Sequence, residues 1–295
     1  MQKNNFTKGI ILAGGNGTRL FPLTHSISKQ ILPIYDKPMI YYPLSVLMLS
    51  KIRDVLIISS LSHIDFFKKL FGKGEYLGMN ISYKIQDSPR GIPEAFIIGE
   101  KFINEDGVCL ILGDNIFYGE GFTKKLEEVV QDKNPTVFTK YFEDPSSYGV
   151  AKYNKDGNLS KIIEKPRSFI SNYAVTGLYF YDSNVVKLSK QLKPSNRGEL
   201  EITDLNNFYI KKQNLNEVKL GRAFHWYDTG TIDSYNSASE FIKNQQKQTG
   251  NFIGCVEEIA LKNKWITKKK LAKNIKSFKS EYYKNLNKLI QSTKF

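Results

Sequence analysis

The chain is short of the side chains that most often carry covalent or metal chemistry: it has two cysteines, Cys109 and Cys255, and three histidines, His25, His63 and His225, in 295 residues. The cysteines are far apart, and Cys109 sits inside the apolar run Val108–Leu112, so neither is half of a CxxC metal or redox pair. Both read as buried thiols of the core. The histidines show no ligand spacing, and no Ser/His/Asp or Cys/His arrangement can be assembled. No apolar stretch approaches the roughly 20 residues of a membrane helix, and the first residues, with Asn4, Asn5 and Thr7, lack the layout of a signal peptide. A cytoplasmic protein with no membrane partner is expected. Internal repeats and low-complexity linkers are absent as well.

Hydrophobic content of 41% with 13% aromatics is that of an ordinary globular protein. The net charge of +14 is unevenly spread. From Lys262 onward there are 11 lysines against one acid, Glu281, a net +10, so the preceding residues are nearly balanced. A basic segment without an interleaved aromatic and basic reading pattern is a solvated surface or a subunit contact before it is a nucleic-acid reader, and a nucleic-acid partner is not expected.

What stands out is the stretch Lys8–Arg19, an apolar run ending in glycines and a cation. Ile10–Ala13 suits a strand buried on both faces of a parallel sheet, where alternation is lost. Gly14, Gly15 and Gly17 can take φ > 0 and let backbone N–H groups approach an anion, with Arg19 as a fixed positive fork. The same residues also fit a plain glycine turn with an exposed arginine. Two familiar phosphate loops are excluded: no Gly-Lys-Ser/Thr follows, and Leu20 occupies the third-glycine position of the dinucleotide fingerprint.

Further strands are expected at Val55–Ser60, Ile81–Gln86 and Val108–Leu112. Helices are expected from Pro38 to about Ser50, over His63–Phe71 and from about Pro93 to Lys101. Such alternation argues for a Rossmann-like α/β fold, a mostly parallel sheet with helices on both faces. Ligands then sit beyond the strand carboxyl ends, which places Gly14–Arg19, Gln86–Gly91 and Asp114 in one crevice. The second half changes character. Short strands at Val137–Phe142, Tyr148–Tyr153, Leu159–Glu164 and Val175–Tyr181 suggest an added antiparallel platform packed on the first sheet. Helices over Asp182–Gln191 and Leu200–Lys211, strands at Glu217–Leu220 and Phe224–Tyr227, and a helix N-capped by Thr231 and running to about Gln246 follow. Residues 1–250 read as one core, with halves at about 1–135 and 136–250. Residues 251–295 read as a small Lys-rich helical appendage whose apolar positions, from Ile259 to Leu289, dock on something.

Phosphate chemistry needs cations for anionic oxygens and carboxylates for a metal, and no protein nucleophile. Asp114 and Asp228, each at a strand end, fit Mg²⁺, which binds one or two carboxylates together with substrate phosphates. Taken singly, either could be a turn residue. Lys29 and Lys165 are isolated cations at element ends.

Nine motifs in order then carry a resemblance: Gly14–Leu20, Ser28–Pro33, Tyr35–Pro43, Leu112–Asn115, Tyr148–Val150, Glu164–Pro166, Asn172–Tyr179, Arg197–Asp204 and Trp226–Thr231. From about residue 8 to Trp265 the chain resembles the bacterial glucose-1-phosphate thymidylyltransferases, of the sugar-phosphate nucleotidyltransferase family. The resemblance implies that the phosphate of glucose 1-phosphate attacks the α-phosphorus of dTTP, releasing pyrophosphate and forming dTDP-glucose for deoxysugar synthesis in a homotetramer. It implies that Gly14, Gly15, Gly17 and Thr18 line the triphosphate and that Arg19 neutralises the departing pyrophosphate. Gln86 and Gly91 would read the thymine edge. Lys165 would orient the attacking phosphate, with Arg197 and Tyr179 beside it and Lys29 nearby. Tyr148, Gly149, Glu164 and Val175 would contact glucose, and Asp114 and Asp228 would hold Mg²⁺. The same chemistry with UTP or another hexose 1-phosphate, or a nucleotide-sugar sensor without turnover, are the alternatives.

There are departures. After Gly91 the family usually continues Leu-Ala-Gln-Ala, whereas this chain has Ile92-Pro-Glu-Ala95, and Glu94 could repel phosphate or point into solvent. The family's second nucleotide site, for feedback control, maps to Tyr118, Gly119, Arg222, Glu258, Ile259 and Lys262. Glu120 replaces a usual histidine there and Lys262 a usual arginine, whose bidentate fork lysine cannot reproduce. Weakened feedback inhibition by a dTDP-sugar is expected.

Overall fold

The structure, a computed structural model, describes residues 5–15 and 17–291. The expected appendage therefore lies within the described residues except for positions 292–295.

The first strand is β1 (Phe6–Ala13), followed after the glycine loop by a short hairpin of β2 (Pro33–Ile34) and β3 (Lys37–Pro38). Helix α1 spans Tyr41–Leu49. It starts later than the expected Pro38, because Pro38 pairs with Pro33 across the hairpin. Pro43 instead takes the first helical turn, where a missing N–H leaves no carbonyl unpaired. Then come β4 (Asp54–Ser59), α2 (Ile64–Phe71), β5 (Asn80–Ile85), α3 (Glu94–Ile98) and α4 (Glu100–Ile103). The single helix expected over Pro93–Lys101 is broken at Gly99. A Cβ there would lie 3.0 Å from both the Ala95 carbonyl oxygen and Ile10 Cδ1, so the break brings this corner close to β1. Strand β6 (Gly107–Leu112), a three-residue strand β7 (Ile116–Tyr118) and α5 (Phe122–Asp132) complete the first half.

The second half contributes β8 (Thr136–Tyr141), β9 (Gly149–Tyr153), β10 (Leu159–Glu164), β11 (Tyr173–Tyr181), α6 (Val185–Ser189), α7 (Ile202–Lys211), β12 (Asn216–Leu220) and β13 (His225–Tyr227). Strands β6, β1, β4 and β5 are mutually parallel. The antiparallel strands are not a layer laid on this sheet, as expected from their short spacing, but extend it edge to edge. Strand β11 runs antiparallel to β6, with Leu178 opposite Ile111, and also pairs with β8 and β9. Nearly all of β11 is buried, as a strand in the middle of a sheet must be.

Alternation along the central strands divides the core in two. Ile11, Val55, Ile57, Cys109, Ile111, Leu178 and Phe180 face one side with α1, α2 and α5. Ile10, Leu56, Ile58, Val108, Leu110, Tyr179 and Tyr181 face the other with α3, α4, α6 and α7. A period of two with both faces apolar is the pattern of a sheet covered by helices on both sides.

Helix α8 (Ile232–Thr249) begins at Thr231, whose Oγ1 accepts from the Ser234 N–H at 3.2 Å, and stops at Gly250 with φ 69°. Helices α9 (Val256–Lys262), α10 (Lys268–Ile275) and α11 (Glu281–Gln291) follow. Val256, Ile259, Leu261, Ile266, Leu271, Ile275, Leu286 and Ile290 join the same core as α1 and α2, so the apolar face of this segment docks on its own chain. Each fully buried Leu or Ile contributes roughly 1.5–3 kcal/mol, which holds helices too short to be stable alone. Lys268, Lys269, Lys270 and Lys273 point outward as a solvated face. Among the described residues no helix is long and apolar enough to cross a membrane.

Candidate active site

The carboxyl ends of β1, β5 and β6 meet where expected. Gly14 follows β1 without a positive φ, as does Gly15, contrary to expectation; of the three loop glycines only Gly17 has one, at 62°. Gly14 is needed for a close approach instead: a Cβ there would lie 2.3 Å from Gln86 Oε1. Gly17 caps the turn of Thr18–Leu20, and its carbonyl accepts from Thr24 Oγ1 at 2.7 Å. That turn carries Arg19 to Gly230, where a Cβ would lie 2.8 Å from the guanidinium.

Asp114 and Asp228 are joined through a buried cation. Lys29 Nζ lies 2.6 Å from Asp114 Oδ2 and 3.4 Å from the Asp228 carbonyl oxygen, and the lysine is 6% exposed. Asp114 Oδ1 accepts from Asn115 Nδ2 at 2.9 Å. Asn115 Oδ1 in turn accepts from Trp226 Nε1 at 2.7 Å and from the Gly177 N–H at 3.1 Å. Thr229 Oγ1 donates to the Asp114 carbonyl at 2.8 Å, tying the two strand ends together. Asp228 Oδ1 accepts from the Gly230 N–H and from Ser234 Oγ, each at 3.3 Å. Two carboxylates at one crevice, of which only that of Asp114 is paired with the lysine, form a donor set suited to a divalent oxygen-loving ion, which needs only one or two protein carboxylates beside phosphate oxygens.

Two cavities meet at this point. One, of about 210 Å³, is lined by Gly15, Gln86, Gly91 and Asp114. The other, of about 300 Å³, is lined by Arg19, Tyr148, Glu164, Lys165, Tyr179 and Asp228 among others, with Gly149, Val175 and Arg197 also on its wall. Leu112, Asp114 and Ile92 border both. Burial first, and then the Asp228 carboxylate, push the Tyr148 hydroxyl up to about 12. Burial and then Glu164 push that of Tyr179 higher still. Both remain neutral hydrogen-bonding groups.

A Cβ at Gly149 would lie 3.2 Å from both Ile162 Cγ2 and Thr203 Oγ1, and Glu164 Oε2 accepts from that Thr203 hydroxyl at 2.5 Å. Lys165 has φ 41°, a conformation costing about 1–3 kcal/mol in a non-glycine residue, and its N–H donates to the Tyr148 carbonyl at 2.9 Å. Arg197 forms a two-point pair with Glu201, Nη2 to Oε2 at 2.7 Å and Nε to Oε1 at 3.2 Å, and stands 3.6 Å from Glu164. Burial opposes ionisation of Glu201, but the Arg197 and Ser195 hydrogen bonds and the Arg197 and Lys165 charges outweigh it and hold its carboxyl below the usual range.

Sequence reasoning passed over Asn115, Thr203 and Glu201, although each lies inside one of the nine motifs. It also misjudged Glu94, which neither faces phosphate nor reaches solvent: it is 5% exposed, beneath the loop, and its Oε2 accepts from Gln86 Nε2 at 2.7 Å.

Of the suggested second site, Tyr118 on β7 and Glu258, Ile259 and Lys262 on α9 lie on elements that pack against α1, while Gly119 and Arg222 lie in the adjoining turns. Tyr118 is paired with His225 across β7 and β13, and Gly119 lies against the ring of Phe224. The Arg222 carbonyl accepts from Lys140 at 3.3 Å. Ile259 is buried in α9, and on the same helix Glu258 pairs with Lys262 at 2.6 Å.

With this geometry in view, a family profile described as nucleotidyl transferase matches residues 8–245. The chain belongs to the nucleotidyl transferase family. It is 50% identical over 286 residues to the glucose-1-phosphate thymidylyltransferase of Neisseria meningitidis serogroup A, an alignment covering 96% of this chain and 99% of that one. It is 44% identical to the enzyme of the same name from Mycobacterium tuberculosis, over 94% and 96% of the two chains. A Bacillus anthracis crystal structure, reported as a candidate glucose-1-phosphate thymidylyltransferase with sucrose bound, superposes with a TM-score of 0.73 at 40% identity, covering 79% of this chain and 94% of that one.

Proposed function

We propose that the protein transfers the thymidylyl group of dTTP to the phosphate of glucose 1-phosphate, giving dTDP-glucose and pyrophosphate, the entry to dTDP-deoxysugars. The observation that carries this reading is the pair of cavities meeting at Asp114: a loop-lined one on the Gln86 side and a polar, tyrosine-walled one on the Glu164 side. Two substrates held one on each side bring their reacting phosphates together over the same carboxylate, the proximity that a displacement at phosphorus needs.

In this reading Gln86 and Gly91 hold the base, and the backbone of Gly14, Gly15, Gly17 and Thr18 lines the triphosphate. Arg19 takes the charge of the leaving pyrophosphate. Glu164, set by Thr203, accepts from glucose hydroxyls alongside Tyr148, Gly149 and Val175. Lys165 and Arg197 steer the sugar phosphate, near Tyr179. The attacking phosphate is already a nucleophile, so no side chain has to take a proton from it. Asp114 and Asp228 would hold Mg²⁺, which, when bound, screens the charge on the phosphates. In its absence Lys29 offsets the charge of Asp114 and holds the Asp228 backbone beside it. A cytoplasmic homotetramer, with residues 251–295 as an appendage to the catalytic core, completes the proposal. With Lys262 engaged by Glu258, we also propose weak feedback control through the second site.

Replacing Lys165 by Met tests the arrangement. Pyrophosphate release should fall about 100-fold or more while dTTP still binds by calorimetry; unchanged turnover contradicts it.

A further inference from the structure

Glu94 stands in the first turn of α3 with no contact to the sugar-side cavity, yet its surroundings are fully specified. Its Oε2 accepts from Gln86 Nε2 at 2.7 Å and from the Arg90 backbone N–H at 3.3 Å. Its Oε1 accepts from Arg90 Nε at 2.8 Å and lies 2.6 Å from Nη2 of the same guanidinium. Every partner is a donor. Gln86 is 3% exposed and lines the cavity beside Gly15 and Gly91. Its Oε1 lies over Gly14 and accepts no hydrogen bond among the described residues.

A glutamine amide has a donor end and an acceptor end and can present either by a half-turn of its last torsion. A carboxylate paired with a guanidinium only accepts. Turned the other way, Gln86 would set its carbonyl oxygen against Glu94 Oε2 inside a buried pocket, where like partial charges are most costly. We propose that Glu94 is a positioning residue that locks Gln86 with its acceptor toward the nucleotide, so that the site selects pyrimidines carrying a ring N–H at position 3 and rejects cytosine. Thymine and uracil both donate from N3, whereas cytosine N3 only accepts and would meet the Gln86 carbonyl oxygen head on. A glutamine at position 94 can turn its own amide and so leaves Gln86 free to turn with it. Glutamate removes that freedom. This inference rests on the reading in which Gln86 faces the base.

The test compares kcat/KM for dTTP and dCTP, with glucose 1-phosphate, in the wild type, Glu94→Gln and Glu94→Met. The first variant is isosteric, and the second keeps the volume without polar atoms. The dTTP:dCTP ratio should fall about fivefold or more in both, the worth of roughly one net hydrogen bond. A purely structural role lowers both nucleotides together and leaves the ratio alone. A ratio within twofold of the wild type in folded Glu94→Gln overturns the proposal. A wild type inert toward dTTP is a different failure, that of the functional reading itself.

Discussion

Lys29 and Asp114 form an ion pair of 2.6 Å at the centre of the crevice, with the lysine almost wholly enclosed. The two residues are 85 positions apart, and the pair joins the loop after the glycine turn to the end of β6. Its ammonium also reaches the Asp228 carbonyl, so one buried cation spans both carboxylate-bearing strand ends. A buried charge is tolerated only when paired, so the pair keeps the site assembled before any phosphate arrives.

The Thr203 hydroxyl holds Glu164 on the wall of the 300 Å³ cavity, proposed above to take the sugar, through its 2.5 Å hydrogen bond. Thr203→Val keeps the shape and removes the donor. KM for glucose 1-phosphate should rise about 10-fold or more, with KM for dTTP unchanged, from one lost hydrogen bond to a charged group. Steady-state kinetics with each substrate varied in turn checks this. An equal rise in both constants would mean general loosening.

Glu257 fastens α9 to α11 through Tyr282, whose hydroxyl donates at 2.5 Å, and is 2% exposed. Burial raises its carboxyl above the ordinary 4.5, against the Tyr282 hydrogen bond. The folded state then binds a proton that the unfolded chain has lost. The associated stability is complete below about pH 4.5 and disappears as pH rises through the native value. Glu257→Gln abolishes that loss. In thermal unfolding the variant should melt above the wild type at pH 8, with the gap closing toward pH 5. A gap that widens at low pH would reverse the sign.

Much of the fold is legible in the sequence because its signals are local. Apolar runs mark β1, β4 and β6, and Thr231 announces α8. The misreadings share one cause, partners that a local pattern does not reveal, whether a few residues away or far along the chain. Pro38 looks like a helix start until its hairpin partner Pro33 is known, and β7 is only three residues long and forms because β13 covers it. Gly14 looks like a φ-positive turn glycine, but what demands it is the Gln86 side chain arriving from β5. The site residues lie in motifs, so their grouping at strand ends follows from topology. Supporting contacts such as Asn115 with Trp226, or Glu94 with Gln86 and Arg90, depend on side-chain directions that composition and spacing do not encode. The lysine-rich segment was legible as helical, but the surface it covers could not be told from its own residues.

In the proposed reaction one crevice, with Asp114 at its middle, joins dTTP to glucose 1-phosphate. Pyrophosphate release should be measured with glucose 1-phosphate and Mg²⁺, with dTTP and UTP in parallel, for the wild type and Asp114→Asn. Release should favour dTTP, stop on chelation, return with Mg²⁺ and fall about 100-fold or more in the variant. Release that is indifferent to Asp114, or none from the wild type with either nucleotide, would contradict it.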